Sequence, residues 1–237
     1  MVQVKVIGEK LERPVYVRIK FTKTGNLQYI SHLDLIRTMH KVLIRSRMPL
    51  WFTEGFNPKP KMIFASSMSV GLESVCEFLD VRLTHKIDLE SAREALNFCL
   101  TPELQVLDVY YPESEFTEVA FAHYEINIKS ETLPENIAKK CEEVLLSQPL
   151  FVMKRTKSGE QNVDISPFVK DVKATCLDDG SLNISVLLSV NNTVFLSAEY
   201  LVAALKNQLG ILSGNLLLNT YSIRRTDMYR ADMTSFK

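Results

Sequence analysis

The feature that most restricts this chain is a period-two pattern that gives way, after a short turn, to a capped helical one. From Pro14 to Lys23, Val15, Val17, Ile19 and Phe21 alternate with Tyr16, Arg18 and Lys20, which marks a strand with one buried face. The other face, aromatic and basic, adds cations to a sheet surface unless a helix covers it. Ser31 then stands three residues before Asp34, the spacing of a reciprocal N-terminal cap, so a helix starts at His32. Leu35, Met39 and Val42, with Ile36 and Leu43 beside them, form its buried stripe. Arg37, Lys41 and Arg45 recur every four residues on a different face, with no carboxylate four positions on to neutralise them. They stack into a cationic column, and Pro49 ends the helix near Arg47 or Met48.

Trp51 to Lys61 reads WFTEGFNPKPK, in which aromatics, cations, a glycine and two prolines alternate. Pro58 and Pro60 stiffen the segment and remove backbone donors, while Gly55 and Asn57 tolerate positive φ, so a defined loop is expected. Trp51 or Phe56 beside Lys59 and Lys61 has the makings of a single-stranded nucleic-acid platform, where bases stack and cations hold phosphates. The competing reading makes the rings core residues and the lysines solvated. His32 and Asp34 suggest an acid–base dyad, but residues two apart on a helix point about 200° apart, and capping is the simpler role for Asp34.

Further along, strands are expected over 61–67 and 76–84, with Cys76, Phe78, Asp80 and Arg82 on one side. Asp88 caps a helix to Leu100, and a strand over 104–111 closes the set. Strand, helix, strand, strand, helix, strand is the order of a ferredoxin-like split βαβ unit. Pro112 to Glu115 reads as a linker, which divides the chain into residues 1–113 and 114–237. The order then repeats: a strand over 120–129, a helix over 134–146, a strand over 150–154 with a turn at 157–160, a hairpin of 169–176 and 182–190, a helix capped by Ser197 that runs to Leu209 with Gly210 past its end, and a strand over 216–223. The fold class expected is therefore α+β, with tandem ferredoxin-like halves, the second elaborated by an extra hairpin. Residues 1–13 read as a loose lead-in, and Arg224 to Arg230 as an exposed tail.

The formal net charge is +0, but residues 1–62 hold 12 Lys/Arg against 4 Asp/Glu and residues 63–118 hold 3 against 11. Such a division suggests a basic face for phosphate and an acidic one, near 73–118, for a protein partner. Cys76, Cys99, Cys141 and Cys176 lie far apart with no C-x-x-C pair, so no local iron–sulfur or zinc motif exists and no cofactor or metal is expected. The four read as buried thiols of a reducing, cytoplasmic compartment. Lys5, Glu9 and Lys10 argue against a signal peptide, and no apolar run reaches the ~18 residues of a membrane span.

Gly25, Ser31-His32-Leu33-Asp34 with Arg37, Gly55-Phe56-Asn57-Pro58 with Pro60, then Gly71, Ser74, Glu77 and Asp80 resemble the radical-SAM-linked family. This is a bacterial domain of unknown function found beside, or fused behind, an iron–sulfur radical S-adenosylmethionine protein. The likeness covers mainly residues 15–85, and Lys59 stands where that family often has a histidine. It implies a radical SAM protein as partner. Three functions are then expected of such a chain. The first is an RNA-binding accessory protein that uses Arg37, Lys41, Arg45, Trp51, Phe56, Asn57, Lys59 and Lys61. The second is a metal-independent endoribonuclease with His32 and either Lys59 or Tyr29. The third is a structural subunit anchored on its partner by Trp51 and Phe56.

Overall fold

The computed structural model describes residues 3–131, 133–156, 159–190, 196–215 and 217–237. It is a mixed α+β protein of mostly antiparallel sheets with four α-helices among the described residues. Two compact units divide it, Met1–Phe116 with Lys237, and Thr117–Phe236.

In the first unit the elements are β1 (Val6–Ile7), β2 (Val15–Lys23), α1 (His32–Arg45), β3 (Met62–Phe64), β4 (Leu72–Leu83), β5 (Lys86–Ile87), α2 (Leu89–Phe98) and β6 (Val106–Tyr110). β3, β4, β2 and β6 lie side by side in that order, each antiparallel to its neighbour. The helices start where side chains satisfy their first N–H groups: Ser31 Oγ accepts from Asp34 N at 3.1 Å, and Asp88 Oδ1 from Ser91 N at 2.9 Å. Val17, Ile19 and Phe21 of β2 and Leu79, Val81 and Leu83 of β4 pack with Leu35, Met39, Val42 and Leu43 of α1 in one core. The lead-in is not loose: β1 pairs with β5, and Val4 is buried.

The reverse face of β2 departs from expectation. Arg18 does not add to a cationic surface, because its side chain is sealed at 0% exposure opposite Asp80. Nε and Nη2 donate to the two Asp80 carboxylate oxygens at 2.7 and 2.8 Å, Nη1 and Nη2 reach the Oγ and the carbonyl of Ser114 at 2.8 and 2.9 Å, and Nη1 also reaches the Lys237 carbonyl at 3.1 Å. The Phe116 ring lies 4.3 Å from the guanidinium carbon. A bidentate ion pair with every remaining donor occupied is the condition under which burying charge is tolerated.

The second unit comprises β7 (Phe121–Lys129), α3 (Ile137–Leu145), β8 (Phe151–Thr156), β9 (Gly159–Asp164), β10 (Val169–Cys176), β11 (Leu182–Ser189), α4 (Glu199–Leu209) and β12 (Thr220–Tyr229). β10, β11, β7 and β12 lie in that order, antiparallel throughout, and β8 pairs with β9 as a separate hairpin. Ala122, Tyr124, Ile126 and Ile128 of β7 and Leu182, Ile184, Val186 and Leu188 of β11 are buried, the regular alternation of a half-covered sheet. On the reverse face His123 ties three strands, with Nε2 2.7 Å from Ser185 Oγ and Nδ1 2.5 Å from Thr226 Oγ1.

Several boundaries differ from the sequence reading. The supposed tail from Arg224 is the second half of β12, with Arg225 buried, because β12 pairs with β7 as far as Tyr229. α4 has Ala198, not Ser197, at its N-cap and ends at Gly210 with φ 65°. α3 starts only at Ile137. The turn expected at Lys157 and Ser158 lies outside the described residues. Cys76 and Cys141 are buried, but Cys99 is half-buried and Cys176 exposed, so not all the thiols are interior. Burial pushes the Cys141 thiol up to about 12. No helix among the described residues is long and apolar enough to cross a membrane.

Removing the Arg18 side chain strands a buried carboxylate. Arg18→Met is expected to lower unfolding stability by about 3–5 kcal/mol, and Arg18→Met combined with Asp80→Leu to recover most of that loss in urea titrations. A single variant within about 0.5 kcal/mol of the parent would show that the pair is not a structural requirement.

Candidate nucleic-acid interface

The segment after α1 folds as a narrow hairpin. Leu50 bridges to Leu83, Trp51 N donates to Arg82 O at 2.8 Å, and Arg82 N donates to Lys61 O at 3.0 Å. Lys61 N returns to Trp51 O at 3.0 Å, Thr53 N to Lys59 O at 2.9 Å, and Phe52 bridges to Pro60. The prolines therefore stiffen one arm of a hairpin rather than an isolated extended path. At its turn Gly55 has φ 120°, a conformation that side chains rarely adopt, and open space lies around it. Phe56 sits at this turn at 106% exposure, Asn57 beside it is exposed, and Phe52 is partly open at 43%. Trp51 is half-buried, so the ring standing free in solvent is Phe56.

α1 presents the cations. Lys41 and Arg45 are exposed, and so is Arg47 just beyond the helix, a cation the periodicity argument had not placed. Arg37 reaches Asp34 at 3.1 Å, an exposed pair that solvent and salt screen. Leu33 and Ile44 lie exposed on the same helix. Lys59 and Lys61 of the hairpin are exposed as well. The Lys59 charge acts on the half-buried His40 ring of α1 and, after burial, is the cause that holds this histidine below its ordinary pKa. The hairpin therefore brings Lys59 close enough to α1 for its charge to reach His40.

The histidine–carboxylate dyad is not assembled. Asp34 Oδ2 accepts from Ser31 Oγ at 2.6 Å and Oδ1 from Arg37, and these bonds hold its carboxyl below the usual range. His32 instead stands edge-on to Phe64, ring centres 5.1 Å apart. No described contact joins His32 to Tyr29, which is 65% exposed, or to Lys59.

His32 belongs to a different cluster, which the sequence reading passed over. Lys23 and Glu77 are buried at 1% and 2% exposure on the core face of β2 and β4. The Lys23 ammonium donates to the carbonyls of Gln28 at 3.1 Å and Leu72 at 3.4 Å, and Gln28 O also accepts from Gly71 N at 2.8 Å. One lysine thus fastens the turn after β2 to the start of β4. Burial lowers the His32 pKa, Glu77 opposes that shift and Lys23 adds to it. The sequence did carry a signal, since Lys23 is in phase with Val17, Ile19 and Phe21, and Glu77 with Leu79, Val81 and Leu83. Among the described residues no group of three or more His, Cys, Asp or Glu is placed to hold a metal ion.

The two depressed histidines set a pH dependence whose direction follows from linkage. His32 and His40 both lie below 6.5 when folded, so the unfolded chain takes up their protons first and stability falls as pH drops below 6.5. Well above that value both are neutral in either state and contribute no slope. Urea unfolding at stepped pH should show this decline, and His32→Gln should make it shallower. A stability that rises as pH falls through this window would reverse the assignment.

No curated protein matches the sequence. A solved structure similar to the chain is titled "Crystal Structure of a Cbf5-Nop10-Gar1 Complex", at 13% identity and a TM-score of 0.46, over 90% of this chain and 48% of that one. The chain thus spans about half the length of that solved chain. The α1–hairpin surface, the buried cluster beside it and much of the second unit fall within residues 16–198, the stretch matched by the model for DUF2344, uncharacterized protein conserved in bacteria, and the chain belongs to that family.

Proposed function

We propose that the protein binds single-stranded RNA through α1 and the 50–61 hairpin, as an accessory that presents the RNA to a radical SAM enzyme. The observation that carries this reading is the set of exposed cations on two elements that follow one another in the chain, Arg37, Lys41 and Arg45 of α1 and Lys59 and Lys61 of the hairpin, together with a Phe56 ring wholly in solvent. Phosphates need such cations, and an unstacked base needs such a ring. The enzyme partner is supported by the resemblance carried on Gly25, Ser31 to Asp34 and Gly55 to Pro58. Each unit is read as a ferredoxin-like split βαβ. Counting only the sheet strands of a unit in chain order, both have the spatial order second, third, first, fourth, with β8 and β9 inserted in the second unit.

Fluorescence anisotropy of a labelled single-stranded RNA with the full chain, over a range of salt, tests the reading. Affinity should fall with a log–log slope of about 0.7 per phosphate neutralised. Lys41→Gln with Arg45→Gln should flatten the slope, whereas Phe56→Ala should weaken binding by about 1–3 kcal/mol and leave the slope alone. Affinity independent of salt, or none for any RNA, would leave only a protein-binding subunit.

A further inference from the structure

The second unit holds a cavity that the RNA reading does not use. It measures about 200 Å³ and is walled on one side by Glu199, Val202, Ala203 and Lys206 of α4. These positions stand three, four and seven residues after the first, so a single face of the helix supplies the wall. Leu212, Asn219 and Tyr221 at the start of β12 complete the lining.

The far wall is fixed in place with the cavity empty. Leu212 holds φ 61°, a left-handed backbone that only glycine takes freely, and is 5% exposed. The chain leaving α4 is thus turned so that this side chain lines the same cavity as the buried Val202. Asn219 is buried too, its amide donating to Asn215 O at 2.9 Å and its side-chain oxygen accepting from Ser130 Oγ at 2.6 Å. These bonds secure the segment that leads into Tyr221. A strained backbone held at a cavity wall, beside a satisfied buried amide, is the construction of a preformed site.

The polar groups of the lining are of both signs. Tyr221 donates its hydroxyl to Glu199 Oε2 at 2.7 Å, and burial together with this bond pushes the phenol up to about 12, so it stays an O–H. Glu199 Oε1 and a lone pair of the tyrosine oxygen are then left for an incoming donor. Lys206 lies two turns further along α4, and no described ion pair or hydrogen bond engages its ammonium. A helical side chain leans toward the N-terminal end of its helix, which carries this one over Val202 and Ala203 toward Glu199. Carboxylate and ammonium therefore stand at the two ends of an apolar floor.

We propose that this cavity binds a small apolar amino acid as its zwitterion. The ligand ammonium meets Glu199 and the Tyr221 oxygen, its carboxylate meets Lys206, and its side chain covers Val202, Ala203 and Leu212. Drug-sized ligands occupy sites of about 300 Å³ and more, so a cavity of about 200 Å³ suits a metabolite of this size. The inference is independent of the RNA reading, since it concerns the second unit and a different ligand.

The test is NMR of the full chain titrated with L-leucine, and with 4-methylpentanoate and isopentylamine, which keep its body but only one charge each. L-Leucine should give saturable shifts confined to α4, Leu212 and residues 219–221, and bind about tenfold more tightly than either analogue. Glu199→Gln should bind L-leucine no better than 4-methylpentanoate, and Lys206→Met no better than isopentylamine. Ala203→Leu, which fills the cavity from a helix position that leucine suits, should remove the shifts and keep the rest of the spectrum. No saturable shift with L-leucine, an analogue that binds the parent as tightly, or binding that survives Ala203→Leu overturns the inference. Each of those results leaves the RNA reading standing.

Discussion

Arg18 and Asp80 face each other across β2 and β4, Arg18 sealed from solvent and Asp80 nearly so, and the first unit is arranged around the need to keep that pair satisfied. The guanidinium fixes the two strands to Ser114 and Phe116, and so brings the end of the unit back onto its sheet. On the opposite face of the same strands, Lys23 joins the turn after β2 to the start of β4 through their carbonyls, while Glu77 is also buried. Charges in such places cost several kcal/mol each unless paired or hydrogen-bonded, so their neighbours are held in narrow geometries. Two of the cations in the basic first quarter of the chain are thereby withdrawn into the interior. Of those left outside, Arg37, Lys41 and Arg45 lie on α1, Arg47 just beyond it, and Lys59 and Lys61 on the hairpin, while Lys5, Lys10 and Arg13 lie in the N-terminal segment.

Period and capping explain what the sequence disclosed. Helix α1 was legible because Ser31 and Asp34 mark its start and Leu35, Met39, Val42 and Leu43 its buried stripe, all local signals. The same holds for α2 from Asp88 and for the β10–β11 hairpin around Gly180. What was illegible depends on partners distant in sequence. Arg18 reads as a surface cation until Asp80 and Ser114 are placed against it, and Arg224 to Tyr229 reads as a tail until β7 is there to pair with it. Trp51 and Phe56 could not be ranked from composition, because backbone bonds between Trp51 and both Arg82 and Lys61 decide which ring is tucked in and which stands free. Lys23 and Glu77 were overlooked although their phase along the strands was readable, since charged side chains in strands are usually assigned to the solvent face.

A cationic helix face followed in the chain by a hydrogen-bonded hairpin that carries a free aromatic ring is suited to an unpaired strand rather than a duplex. The ring needs an unstacked base, and the cations need only the backbone. Hydrogen–deuterium exchange of the full chain, with and without bound single-stranded RNA, bears most directly on this. The account expects slowed exchange in peptides that cover residues 32–48 and 50–61, with the second unit little changed. Slowed exchange confined to residues 117–236, while RNA is demonstrably bound, would place the binding surface elsewhere and contradict it.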